Sequence, residues 1–284
     1  MKYDKQALYL EIEKFYLITT EDEGDDLRTI RSLMGGLVRK ARKSLAGEED
    51  TKGKIHKLLQ LMYGEWGFHC DRNTYFYAKN LYLGNVLRSK QGMPVTLGCI
   101  LLYLADKLDL PIFPVLFPTQ LILRADVDNE TAFIDPWNGE YLSQQELEKL
   151  YQGAFGFGAQ IPPKELEIAE PKELTERFAQ LAKNSLIREQ LNDAAFKYIT
   201  SRLNTMEWLI ENGISNGTDV EQVEKDEAYE YRDRGLVLAQ MGAYQAAIND
   251  LHYFVEKYPE DPTALMLQDQ LPEMEEHLYV DLLH

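Results

Sequence analysis

Apolar residues recur at three- and four-residue intervals along most of this chain. The exception is one short central stretch, where they form brief continuous runs. In residues 3–18, Leu8, Ile12, Phe15 and Tyr16 fall at helical spacing. Asp22, Glu23, Asp25 and Asp26 then make an acidic turn, expected at the N-terminus of the next helix, where negative charge is favoured. Over residues 27–45 the stripe is Leu27, Ile30, Leu33, Met34, Leu37, Val38 and Ala41. Arg28, Arg31, Arg39, Lys40, Arg42 and Lys43 lie mostly off that stripe, as a solvated face or as a surface for an acidic partner. A polar loop (47–53), a helix (55–63) and an irregular aromatic segment, Trp66 to Asp71, follow.

The stretch from Arg88 to Gly139 organises the chain. Gly92 and Pro94 make a tight helix entry, because proline suits the first helical turn, where no backbone donor is needed. Leu97, Ile100, Leu101, Leu104 and Leu108 give that helix one apolar face. Three short β-branched and aromatic runs follow at 112–117, 120–124 and 132–134, punctuated by Pro118 and by a polar turn at 126–130. The pattern predicts a helix laid on an antiparallel sheet. Beyond Gly139, residues 141–143 read as a short strand. Ser143 with Glu146 reads as a capping box for a helix over 144–151. Gly153, Gly156 and Gly158, interleaved with Phe155 and Phe157, read as a flexible loop over a pocket near Asp135. Pro162, Pro163 and Pro171 mark a linker at 161–172. The rest is helical: 174–188 and 193–211 as an antiparallel pair, a break at 213–217, an acidic helix entry at 221–230 and a terminal helix over 265–283. The expected domains are 1–160 and 173–284.

Charge and composition narrow the function. The 284 residues carry 47 acidic against 30 basic side chains, a net −17, which repels nucleic acid and anionic membrane and leaves solubility or a basic partner as its use. No apolar run approaches the ~20 residues of a membrane span and no signal-peptide core opens the chain, so a cytoplasmic location is expected. Cys70 and Cys99 give neither a disulfide framework nor a CxxC pattern. His56, His69, His252, His277 and His284 show no ligand spacing. No metal and no cofactor is expected.

Residues 228–261 resemble a 34-residue tetratricopeptide repeat. Gly235 and Ala247 are the small residues that let two helices cross closely, Gly242 turns the chain, Tyr244 follows it, and Pro259 ends the repeat. The pair at 174–211 reads as a degenerate repeat, and the terminal helix as a cap with a polar outer face.

The central stretch resembles the transglutaminase-like, papain-type core. In that core a cysteine opens the helix, a histidine sits on a strand, and an aspartate on the next strand orients it. Tyr75, Asn80, Val86-Leu87-Arg88, Gly92-x-Pro94, Phe117-Pro118 and Asp135-Pro136-x-x-Gly139 are similar to the hallmarks of the SirB1 family, a transglutaminase-like domain followed by tetratricopeptide repeats. The resemblance implies an α+β domain with a helix on a small antiparallel sheet, then an all-α repeat domain. It also places Pro94 at the cysteine position and Gln120 at the histidine position, leaving only Asp135. Proline offers no nucleophile, and an amide is no base near neutral pH. Thr96 and Cys99 are the alternative nucleophiles, and Asp135 is either the orienting carboxylate or a turn former. The expectation is a non-catalytic protein- or peptide-binding module. The alternative is a cryptic acyl-transfer or peptide-hydrolase enzyme using Thr96 or Cys99 with Asp135.

Overall fold

A computed structural model describes residues 3–20, 25–212 and 220–281. Asp22 and Glu23 of the acidic turn, the break at 213–217 and His284 lie outside them. The chain forms two compact units: residues 3–17 with 25–185, and residues 18–20 with 186–281.

The first unit opens with α1 (Ala7–Thr19), α2 (Asp25–Leu45) and α3 (Thr51–Leu59). Asp50 caps α3, accepting the Gly53 N–H at 2.7 Å. The expected helix over 55–63 changes pitch, because a π turn (Gln60–Glu65) replaces its last part. Then come a 3-10 turn (Ala78–Leu81), α4 (Leu83–Ser89) and α5 (Pro94–Lys107). The buried faces are mostly those the apolar stripes predict: Leu8, Ile12 and Phe15 on α1, Ile30, Met34 and Ala41 on α2, and Leu97, Ile100, Leu101 and Leu104 on α5; Leu33, at the margin of the α2 stripe, is exposed instead. Phe15 ties the helices together, its ring 5.0 Å from Tyr82 and 5.7 Å from Phe178.

Four strands, β1 (Ile112–Leu116), β2 (Leu121–Val127), β3 (Glu130–Ile134) and β4 (Tyr141–Leu142), form one antiparallel meander in chain order. The β2–β3 turn is tighter than the polar run 126–130 predicts. Asp128 and Asn129 both take positive φ (53° and 62°), the two-residue hairpin geometry whose twist matches that of the strands. Both strands therefore continue through those polar positions. Pro114 sits in β1, an edge strand, where a missing N–H is tolerated.

After β4, Ser143 and Glu146 form the expected capping box of α6 (Gln144–Phe155). The glycine loop folds back along α6, where Gly158 to Ile161 and Gln144, Glu148 and Gln152 line a cleft of about 400 Å3. Phe157, between Gly156 and Gly158 at positive φ, is fully exposed. Residues 161–172 behave as part of the first unit. They hold a 3-10 turn (Pro163–Leu166), and Arg124 donates to the Leu166 carbonyl at 3.1 Å. The Ala169 N–H bonds Pro114 O at 2.9 Å, which satisfies the β1 edge. The boundary between units instead falls inside α7 (Pro171–Arg188), whose Arg177 donates to Pro118 O at 3.0 Å. The expected pair 174–188 and 193–211 therefore spans both units.

The second unit contains α8 (Asn192–Glu211), α9 (Val220–Gln240), α10 (Tyr244–Lys257) and α11 (Pro262–Asp281), packed in sequence. Its core gathers Ala228, Ile248, Leu251, Phe254, Ala264 and Leu267. The outer face of α11 is less polar than a cap requires, since Leu265 and Met266 are exposed.

Candidate functional site

The site is assembled where α5 meets the sheet. Gly92 admits the tight entry: a Cβ there would stand 2.9 Å from Thr96 Oγ1 and 3.0 Å from both Leu97 and Val86 side chains. Pro94 takes the first helical position. One turn on, a Cβ at Gly98 would stand 2.7 Å from Leu121 Cδ2 and 3.5 Å from Pro136 Cγ. The glycine thus lets this face of α5 approach the start of β2 and the turn after β3. Pro94, four residues earlier, is on the same face.

Gln120 precedes β2 and Asp135 follows β3. The Gln120 amide donates to Asp135 Oδ1 at 3.0 Å, and the Trp137 N–H donates to the same oxygen at 2.9 Å. The Asp135 backbone closes the turn, accepting the Gly139 N–H at 2.8 Å and donating to Glu140 O at 2.9 Å. Asp135 thus shapes the turn with its backbone and holds the Gln120 side chain, at the start of the neighbouring β2, with its carboxylate. Burial pushes its carboxyl above the usual carboxylate range, against the two hydrogen bonds that pull it down. Tyr63 buttresses the turn, donating to Pro136 O at 2.8 Å with its ring against Gly139. The Tyr75 and Trp137 rings meet edge to face at 4.9 Å.

The two alternative nucleophiles are engaged elsewhere. Thr96 is buried. Its Oγ1 accepts the Met93 N–H at 2.9 Å and has the carbonyls of Asn80 (2.9 Å) and Met93 (3.0 Å) for its one proton. It is a helix cap that also ties α5 to the 3-10 turn. Asn80, fully buried, continues the brace by donating to Thr74 O at 2.6 Å and Tyr75 O at 3.2 Å. Cys99 is 1% exposed and burial drives its thiol far up.

Cys70 is the residue that sequence reasoning missed. His69 pairs with Gln91 in a parallel bridge: His69 N–H to Lys90 O at 2.9 Å and Gly92 N–H to His69 O at 3.1 Å. The next residue, Cys70, is thereby brought beside the α5 entry. Its thiol is pushed up to about 12 by burial and by the Asp135 charge. The arrangement stores a neutral thiol beside a carboxylate, the opposite of an activated thiolate. His69 itself is exposed, with Nδ1 2.9 Å from Gly67 O. No pattern in the sequence announces this approach, since the bridge joins His69 to a residue as distant as Gln91. Among the described residues, no group of three or more His, Cys, Asp or Glu is gathered as a metal would require. None of their helices is long and apolar enough to cross a membrane.

The second unit carries the repeat positions. A Cβ at Gly235 of α9 would lie 2.7 Å from Leu251 Cγ and 3.1 Å from Ala247 O, so this glycine and this alanine mark the close crossing of α9 and α10. Gly242 takes φ 78° in the turn, Tyr244 starts α10, and Pro259 stands just past its end. The ion pair of Arg234 with Asp250 (2.6 and 2.9 Å) crosses the same pair of helices. Tyr229, Lys225 and Glu221 of α9, with Lys257, Tyr258 and Glu260, line an open cleft of about 800 Å3.

Comparison with known proteins places these two parts. Residues 28–180 match the model of a transglutaminase-like superfamily, and residues 222–272 match a tetratricopeptide repeat. The chain is 52% identical to a UPF0162 protein of Haemophilus influenzae, over 99% of this chain and 98% of that one. It is 51% identical to a UPF0162 protein of Pasteurella multocida, over 98% and 99%. It is 37% identical to Protein SirB1 of Salmonella typhimurium, over 80% of each. No solved structure matches the chain.

Proposed function

The chain belongs to the UPF0162 family, whose members include SirB1, and on that premise we propose that it is a non-catalytic, cytoplasmic protein- or peptide-binding module. The observation that carries the reading is the Gln120–Asp135 hydrogen bond. In a transglutaminase-like core the aspartate orients an imidazole, and the imidazole takes a proton from a thiol at the helix entry. Here the carboxylate orients an amide, which neither accepts nor returns a proton near neutral pH. The helix entry is Pro94, which has no nucleophilic atom. Thr96 and Cys99 are tied up in capping and in the core, and Cys70 holds its proton. The shape of the core is kept while its acid–base chemistry is absent, which supports recognition rather than turnover. The second unit, with its tightly crossed repeat and open cleft, supplies the kind of surface on which repeat proteins hold an extended or helical segment. The net charge of −17 disfavours nucleic acid as the partner.

Two measurements test this. Amide, ester and glutaminyl substrates should be turned over no faster than in the blank. Turnover that disappears in Asp135→Ala or Thr96→Val would overturn the non-catalytic reading. Affinity capture from lysate, comparing wild type with charge reversals at Glu221, Lys257 and Glu260, should yield a protein retained by the first and lost by the second. Identical captures would remove the repeat cleft as the binding surface.

A further inference from the structure

The acidic chain contains a strongly basic block. Residues 28–107 carry fourteen basic side chains against six acidic ones, in a protein whose net charge is −17. Several of these cations have local partners, two of them carboxylates. Arg31 meets Glu13 at 2.7 Å, Arg88 meets Asp26 at 2.5 Å, and Arg42 donates to the Lys107 carbonyl. Arg39, Lys40 and Lys43 on the outer side of α2 are different. All three are exposed, and none has a carboxylate within ion-pair distance among the described residues. Arg39 and Lys43 are one turn apart on the same face, and Lys40 flanks them.

Lys90 adds a fourth charge in a fixed place. It ends α4 in the left-handed conformation (φ 65°), its N–H bonds Val86 O at 2.8 Å, and its ammonium lies 4.5 Å from the centre of the Phe68 ring. Burial, and then the like charge of Lys40, both lower its pKa. Two glycines stand beside the patch. Gly35 and Gly36 stand in mid-helix, where glycine is the weakest ordinary helix former. A Cβ at either would meet only the Arg39 guanidinium, at 3.5 and 3.8 Å, so internal packing does not require them. They leave the backbone of α2 covered there only by the Arg39 side chain, whose movement opens it to close approach.

We propose that the outer face of α2, with Arg39, Lys40 and Lys43 and with Lys90 beside them, docks an acidic helical segment of a protein partner. Charge complementarity selects the sign. Carboxylates one turn apart on a partner helix match the one-turn spacing of Arg39 and Lys43, and drawing the Arg39 guanidinium onto a carboxylate uncovers the Gly35–Gly36 backbone so that helix lies close. A short segment needs only the patch. A long polyanion or a membrane surface is disfavoured by the net charge of −17 that the chain carries as a whole. This surface is distinct from the repeat cleft, so charge reversals in that cleft leave it intact, and the two readings fail separately.

The test uses the full chain and a fluorescent helical peptide with glutamate at every third or fourth position, read by anisotropy at physiological ionic strength. Wild type binds. Lys40→Glu/Lys43→Glu, at exposed positions and with an unchanged melting temperature, binds about tenfold weaker or less. Lys14→Glu/Lys149→Glu, two positions off α2, matches the double variant's change in net charge and binds as wild type does. Equal affinity of wild type and the double variant overturns the proposal, as does an equal loss in Lys14→Glu/Lys149→Glu. Single-stranded DNA or phosphatidylserine vesicles bound with the same Lys40 and Lys43 dependence overturn it in favour of a polyanion site. Concentration-dependent dimerisation abolished by the double variant overturns it in favour of a second copy as occupant.

Discussion

Gly235→Ala is the sharpest perturbation of the repeat. The added methyl would lie 2.7 Å from Leu251 Cγ and 2.8 Å from its Cδ2, where carbon atoms prefer about 3.5–4.0 Å. Leu251 is fully buried, and the third neighbour is a backbone oxygen, Ala247 O, at 3.1 Å. Relief therefore requires α9 and α10 to separate or Leu251 to leave its rotamer. Overpacking of this kind costs about 1–3 kcal/mol. Alanine also gains about 1 kcal/mol over glycine in a helix, which offsets part of that. The net expectation is a loss of up to about 2 kcal/mol, with about 4–8 °C of melting temperature for each kcal/mol in a unit of this size. Circular dichroism with calorimetry on the full chain reads it. Gly153→Ala in α6 is the control: a Cβ there meets nothing within 4 Å, so the substitution should be neutral or stabilising. Leu251→Ala removes the clashing side chain, at about 2–5 kcal/mol when made alone. Combined with Gly235→Ala, it should cost less than the two separate losses added together. A Gly235→Ala melting temperature raised as much as that of Gly153→Ala, or strict additivity in the double variant, would refute the close crossing.

Three further outcomes follow from the first unit. Burial raises the Asp135 carboxyl in the folded state, so folding gains stability as pH falls into the carboxylate range and loses it as pH rises through the raised value. Asp135→Asn keeps the acceptor for Gln120 and Trp137. Its melting temperature should equal or exceed wild type at pH 8, and the difference should shrink towards pH 4. A deficit at pH 8 that persists at low pH would place the role of Asp135 elsewhere. With a thiol near 12, Cys70 at pH 8 holds a thiolate fraction on the order of 10⁻⁴, so a thiol reagent should label the native protein slowly. Asp135→Asn should speed Cys70 and leave Cys99 inert; fast native labelling of Cys99 would contradict its burial. Gly139→Ala combines positive φ (75°) with a methyl 2.1 Å from the Tyr63 ring, and should cost at least about 2 kcal/mol in urea unfolding. Wild-type stability there would argue against the Tyr63 buttress.

Much of the candidate site was legible in the chain order. The Gly92–Pro94 entry, the runs that became β1 to β3 and the Asp135 turn are local, and their side-chain chemistry can be read without coordinates. The pairing of Gln120 with Asp135 was implied by a family resemblance, and the hydrogen bond gives it a geometry. What stayed hidden depends on distant segments. Thr96 reads as a candidate nucleophile until Asn80 and Met93 claim its hydroxyl. Cys70 reads as a stray thiol until the His69–Gln91 bridge delivers it to the helix entry. Residues 161–172 read as a linker, because proline is a local punctuator, yet Ala169 completes the edge of β1.

The sequence by itself determined the periodicities, and with them which segments are helix or strand, which face each one buries and where the repeat turns. These follow from spacing, capping and the conformational limits of glycine and proline, all of which act within a few residues. It also determined the absence of a nucleophile at Pro94 and of a base at Gln120, because residue type alone fixes that chemistry. Only the tertiary structure decided which polar groups find partners. Burial, the pKa of Asp135 and Cys70, the division of α7 between two units and the unneutralised cations on α2 depend on what packing brings within a few ångströms. Those distances are set by the whole chain folding at once.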